Sequence, residues 1–258
     1  MNAELNAWLQ LLFRWIHLVA GIAWIGHLWF FNWVNAPLGK VFDAATKKAV
    51  VPELMPRALY WFRWGAAWTW ITGILLLGMV YYMGGALFAN PNEGNMSIGV
   101  GMLVLVLIAA FLYDVIMRAM KGQQMLANAL SLILLVVLYW LQAEVANFSG
   151  RALYIFIGGA LGTAMAMNVW MRIWPAQQKV ITAVKEGNPP DADLVAMATL
   201  RSRHNTFMSV PLMFFMISNH YPNVYGSPLR DVYAALIVIA GFIATSLLYR
   251  KSAKVAGF

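Results

Sequence analysis

Apolar residues in this chain neither alternate nor recur at helical intervals along a polar background. They run in blocks of about twenty, the length that crosses a bilayer as a helix. Seven blocks stand out: Trp8–Val34, Leu59–Tyr82, Ile98–Met117, Met125–Val145, Leu153–Trp174, Thr206–Tyr221 and Val232–Tyr249. They predict an all-α, polytopic membrane bundle of seven transmembrane helices, one domain over residues 1–258. The sixth block reaches a spanning length only if it starts at His204, and Pro211 inside it removes a main-chain donor and predicts a kink. Most connections are short, with turn-like stretches at Pro91–Asn95 and Tyr221–Asn223. Two are longer: Asn35–Ala58, and Pro175–Arg203, broken by Gly187-Asn188-Pro189-Pro190 and expected to form amphipathic helices on the membrane surface.

Composition agrees. With 62% hydrophobic and 11% charged residues, the chain falls far below the roughly 25% charge of soluble domains. Twelve Trp and ten Tyr suit many membrane interfaces. A net charge of +8 raises the question of nucleic acid, but the basic residues lie in the loops between spans, so a nucleic-acid partner is rejected. The absence of cysteine excludes disulfides, thiolate metal sites and covalent c-type haem attachment. Met1–Trp8 lacks a basic stretch and a following cleavage site, so the first span is expected to stay in the mature protein.

Charge also predicts orientation. Lys40, Lys47, Lys48, Arg57, Arg63, Arg118, Lys121, Arg172, Lys179, Lys185, Arg201, Arg203, Arg250, Lys251 and Lys254 fall on one side of the seven-span arrangement. Arg14, Arg151 and Arg230 fall on the other. The positive-inside rule then places the N-terminus outside and the C-terminus inside. The expected location is a bacterial inner membrane.

Four histidines carry the candidate chemistry. His17 and His27 lie in the first block; His204 and His220 bracket the sixth. Imidazole within lipid is costly unless something binds it. In the predicted topology His17 and His220 lie toward the outer leaflet, and His27 and His204 toward the inner. This layout suits b-type haem held by imidazoles of facing helices, with one haem or two. His17 and His27 are ten residues apart, roughly 15 Å of rise and about 80° in direction, so both can face one interior. Gly21, one turn after His17, is expected to leave room for a flat macrocycle. His204 and His220 are sixteen residues apart, about 160° in a regular helix, so a kink at Pro211 or an unwound start at His204-Asn205 is required. No HxxH, HxxxH or Glu-x-x-His spacing supports a non-haem metal.

Other polar positions are secondary. Arg63, Asp114 and Arg203 could form an inner polar cluster for haem propionates or an anionic substrate, against the simpler reading of arginines reaching for phosphates. Glu144 and Arg151 flank an outer turn and are expected to be solvated. Gly73-x-x-x-x-Gly78 and Gly158-Gly159-x-x-Gly162 read as small-residue helix contacts.

The segments Arg14-Trp15-Ile16-His17 through Trp24-Ile25-Gly26-His27, Ser202–Thr206 and Met216–Pro222 resemble the membrane domain of the PuuD-type urate oxidase family. The resemblance runs over nearly the whole chain; the first-span pattern is also similar to HemJ and CopD-like haem-associated membrane proteins. It implies oxidation of urate toward 5-hydroxyisourate. Combined with the histidine layout, the expectation is that His17, His27, His204 and His220 ligate b-type haem and that Arg63 and Arg203 supply a positive field for the purine anion. Family members join such a domain to a C-terminal cytochrome c. This sequence has no CxxCH and no eighth span before Phe258, so a separate cytochrome c or the respiratory chain is expected to accept the electrons. The rival expectations are a non-catalytic haem b electron-transfer subunit and a small-anion transporter.

Overall fold

Inside a bilayer every main-chain N–H and C=O needs a partner within the protein, and helix supplies it locally. The computed structural model describes residues 2–255, and these are helical almost throughout. The helices are α1 (Ala3–Trp29), α2 (Ala36–Leu38), α3 (Ala44–Leu77), α4 (Met96–Ala119) and α5 (Gln124–Trp140). They continue with α6 (Gly150–Met167), α7 (Trp174–Glu186), α8 (Ala192–Ile217), α9 (Pro222–Tyr225) and α10 (Arg230–Ser252). Six helical stretches are long and apolar enough to cross a membrane: Ala3–Leu38, Ala44–Tyr82, Met96–Ala119, Gln124–Val145, Gly150–Glu186 and Arg230–Ser252. Their outward faces are apolar too. Trp15, Leu18, Val19 and Ile22 of α1 and Val104, Leu107, Ile108 and Phe111 of α4 are exposed. Faces of that kind associate in water and are at home against lipid chains. The chain therefore has the build of a multi-pass membrane protein.

Three expectations change. The connection at Asn35–Ala58 is largely helix, because α3 starts at Ala44 and runs through Pro52 and Pro56. Spaced four apart, the two prolines interrupt the ladder on one face only, and the Asp43 carboxylate accepts from the Thr46 amide at 2.7 Å to start the helix. The Pro175–Arg203 segment does not form separate surface helices. A π-turn and α7 extend the fifth span to Glu186, left-handed Gly187 (φ 80°) ends it, and α8 begins at Ala192. His204 and Asn205 thus sit well inside α8, with no unwound start, and α8 is continuous through Pro211. Its half containing Arg201, Arg203, His204 and Asn205 keeps it outside the six apolar stretches.

Four π-turns interrupt the helices among the described residues: Phe30–Asn35, Gly78–Tyr82, Leu141–Val145 and Asn168–Ile173. Each adds a residue to the local repeat, and each turns a polar side chain inward: Asn32, Tyr81, Gln142 and Asn168, all buried.

The chain divides into two compact units. One comprises residues up to 14, 72–164 and 211–240. It is built on rings and aliphatic side chains: Phe148 packs on Phe156 at 4.9 Å and Phe88 at 5.9 Å between centroids, and Tyr154 meets Phe215 edge-on at 5.3 Å. Gly158 lies under Phe215 and Met216, and Gly162 under Leu212, so this glycine pair is the expected close helix contact. Gly159 and Gly78 face open space instead. The other unit comprises residues 15–71, 165–210 and those from 241 onward, and it contains His17, His27 and His204. We call these the aromatic unit and the histidine unit.

Candidate functional site

The histidine unit is held by a close helix pair and by buried hydrogen bonds between side chains. Gly65 of α3 lies against the α1 main chain: a Cβ there would stand 2.9 Å from the Trp24 nitrogen and 3.0 Å from the Ala20 oxygen. The glycine that permits close approach is Gly65. Gly21 faces Thr69 at 3.8 Å, so the slot expected beside it is occupied by a neighbouring helix. Thr69 itself donates its hydroxyl to the Gly65 carbonyl at 2.7 Å.

Against α8, α1 is tied at two heights. Trp29 Nε1 donates to Ser209 Oγ at 3.0 Å, and Asn32 Nδ2 donates to Ser202 Oγ at 2.8 Å. Residue numbers in the tied pairs sum to 238 and 234, so the helices run antiparallel with a level sum near 236. His27 therefore lies level with Ser209, and His204 level with Asn32. The two imidazoles are offset by about five residues, roughly 7 Å of rise, and do not stand directly across from each other.

The imidazoles are prepared in similar ways. His27 Nδ1 lies 2.7 Å from the Ala23 carbonyl oxygen, one turn back. With Nδ1 as the donor, Nε2 is left as a lone-pair nitrogen. The His17 ring hydrogen-bonds the main chain at Thr69. Main-chain carbonyls on one ring nitrogen are the usual support of a metal-bound imidazole. Both rings, and His204, are half-buried. His220 differs: it lies beyond the end of α8, in the 3-10 turn Ser218–His220, and is exposed. It also belongs to the aromatic unit, whereas His17 belongs to the histidine unit, so their pairing rests on the sequence argument.

The same unit carries a polar network that sequence reading did not find. Tyr249 donates to Asn32 Oδ1 at 2.8 Å. Asn168 donates to Asn205 Oδ1 at 2.8 Å, and Asn205 donates to the Met165 carbonyl at 3.0 Å. Asn205, Thr206 and Ser209 are fully buried. With Ser202 they occupy one face of α8 at intervals of three and four residues, the signal by which sequence could have found them.

The cationic candidates have different settings. Arg63 is half-buried, with its guanidinium carbon 3.8 Å from the centre of the Trp174 ring. Arg203 is exposed and lies 5.3 Å from the Tyr249 ring centre. Asp114 is buried in the aromatic unit and pairs with Arg118 at 3.1 Å, so the expected cluster of Arg63, Asp114 and Arg203 does not form within either unit. Arg151, expected to be solvated, is half-buried instead. Its Nε donates to Asn219 Oδ1 at 2.8 Å, and the Tyr81 hydroxyl donates to the same oxygen at 2.7 Å. Among the described residues no three His, Asp or Glu side chains converge as a metal-ion group.

The family model described as urate oxidase N-terminal matches residues 3–47 and 38–256 of this chain. No curated protein and no solved structure matches it. The family match covers nearly the whole sequence, and the chain belongs to the urate oxidase N-terminal family.

Proposed function

We propose that this protein is a membrane-bound haem oxidoreductase of urate metabolism that oxidises urate toward 5-hydroxyisourate. The observation carrying the reading is family membership over nearly the full chain. The histidine unit supports it: the His27 ring is anchored through Nδ1 to a main-chain carbonyl and keeps Nε2 for a ligand. An imidazole held in this way is the kind of donor that binds b-type haem. His17, His27 and His204 would hold it in the histidine unit and His220 in the aromatic unit, for one haem or two. Bound haem supplies one-electron redox capacity.

In the net reaction urate and one water molecule together give 5-hydroxyisourate, two protons and two electrons, the water oxygen becoming the hydroxyl of the product. The protein's own contribution is position and field. Arg63 and Arg203 offer positive charge to the purine anion, and the apolar helices exclude bulk water. The electrons pass to a separate cytochrome c or to the respiratory chain. We further propose seven spans, with α8 as the sixth in sequence, the N-terminus outside and the C-terminus inside a bacterial inner membrane. The supporting observation is the division of Lys and Arg between alternate connections. The chain end at Phe258 lies outside the described residues.

One observation favours a second reading. The buried or half-buried polar side chains Asn32, Ser202 and Tyr249, and the pair Asn168 and Asn205, already bond among themselves, which suits a haem-bearing electron conduit without a substrate site. A visible spectrum of the protein purified from haem-replete cells tests both readings. A Soret band is expected, and its absence overturns both. Reduction of the haem by added urate under anaerobic conditions is expected of the enzyme. A haem that no purine reduces identifies the conduit.

A further inference from the structure

Arg63 lies within the apolar stretch Ala44–Tyr82, yet among the described residues no carboxylate pairs with it. Among the described residues its guanidinium contacts two rings, Trp174 at 3.8 Å and Tyr60 at 5.7 Å from carbon to centroid. Its Nε is buried and has no acceptor. Acids on the same helix do not serve it; Glu53 is engaged by Arg57 at 2.7 Å. The main chain at this point is fixed, since Trp170 Nε1 donates to the Arg63 carbonyl at 3.1 Å, and Trp170 in turn meets Trp64 edge-on at 5.5 Å.

The geometry excludes most roles. A guanidinium reaching for lipid phosphate extends freely, whereas this one is held over an indole, 3.8 Å from its ring centre. With Nε buried, what remains available is its far edge, the two terminal nitrogens. That edge is a planar row of N–H donors whose spacing matches two adjacent acceptor atoms held in one plane. Carboxylates offer such a pair, and so does the N–C=O margin of a deprotonated purine. The Trp174 and Tyr60 rings beside the guanidinium suit a flat partner better than a tetrahedral one.

We propose that Arg63, laid on Trp174, is a receptor for a planar delocalised oxyanion, with the urate monoanion as its ligand. The choice of ligand rests on the proposed function; the site itself does not.

The test uses the full-length protein in nanodiscs of zwitterionic lipid, with binding of labelled urate and of labelled benzoate followed by equilibrium dialysis. Both should bind, with inorganic phosphate a poor competitor. Arg63→Gln should weaken both by at least tenfold. Arg63→Lys, which keeps the charge and loses the fork, should weaken them several-fold, and so should Trp174→Leu. If the glutamine variant fails to reconstitute, the lysine variant decides. Arg63-dependent binding of both probes without urate oxidation upholds the site and removes the enzymatic reading. Equal binding by wild type and variants, no binding by wild type, or displacement of urate by anionic lipid overturns the proposal. Loss of haem from Arg63→Gln with urate binding intact assigns the arginine to a haem carboxylate and overturns it as well.

Discussion

The two units solve the problem of helix association by different means. In the aromatic unit the helices meet through rings and a glycine pair, and polar contacts such as Arg151–Asn219–Tyr81 involve residues near helix ends. In the histidine unit they meet through buried amides and hydroxyls on α1, α8 and α10. Lipid supplies no hydrophobic drive between helices, and a side-chain hydrogen bond across them is worth only about 0.6 kcal/mol on average. A network that contributes so little per bond has more value in fixing positions than in holding the fold together. It fixes α8 against α1 at Ser202 and Ser209, one on each side of the stretch that carries His204. The division of labour is thus packing for stability in one unit and polar register for geometry in the other.

The sharpest way to break this contrast is to cut into each unit once. His27→Ala or His204→Ala should abolish the Soret band with little change in thermal unfolding. Phe148→Ala, in the aromatic cluster, should cost about 3–5 kcal/mol of stability while haem per folded molecule stays constant. A Phe148 variant that folds normally but loses haem would erase the distinction. Next in size is Gly65→Val, which forces α3 away from the α1 main chain and should cost about 1–3 kcal/mol with a shifted haem spectrum. Gly101→Ala in α4 meets nothing within 4 Å and should be neutral or stabilising by up to about 1 kcal/mol. Equal penalties at the two glycines would contradict the close approach.

Asn205→Ala removes the bond from Asn168 and the bond to the Met165 carbonyl, a loss of about 1–2 kcal/mol. The Asn168→Ala/Asn205→Ala double variant should lose less than the sum of the two, measured as a double-mutant cycle by unfolding in detergent. Strict additivity would mean that the amide pair carries no coupling. The smallest change is Ser209→Ala, which removes the Trp29 bond and should cost about 0.6 kcal/mol. A loss several times larger would make the polar network a stability element after all.

Helix class, the membrane setting and the family were legible because each follows from block length and from residues that stand in sequence. Boundaries were less so. Pro52 and Pro56 look like a break, yet their four-residue spacing confines the damage to one face of α3. The histidines were found; their settings were not. His220 seemed to end a span, and only the backbone shows it in an exposed 3-10 turn. Asn32 and Asn168 were invisible because π-turns, which leave no periodic trace, bring them inward. Arg63 was noted for its charge. That it lies on Trp174, more than a hundred residues along the chain, depends on tertiary packing.

Each π-turn is in effect one residue more than an α-helix needs. Closing such a turn to the ordinary repeat with every residue kept would swing everything beyond it by about 100°. In the stretch from Gly150 to Glu186, closing the turn at Asn168–Ile173 would carry Trp174 off the face on which Arg63 rests. The wide turn is therefore a phase setting, and a one-residue deletion there is the change the helix beyond it tolerates best.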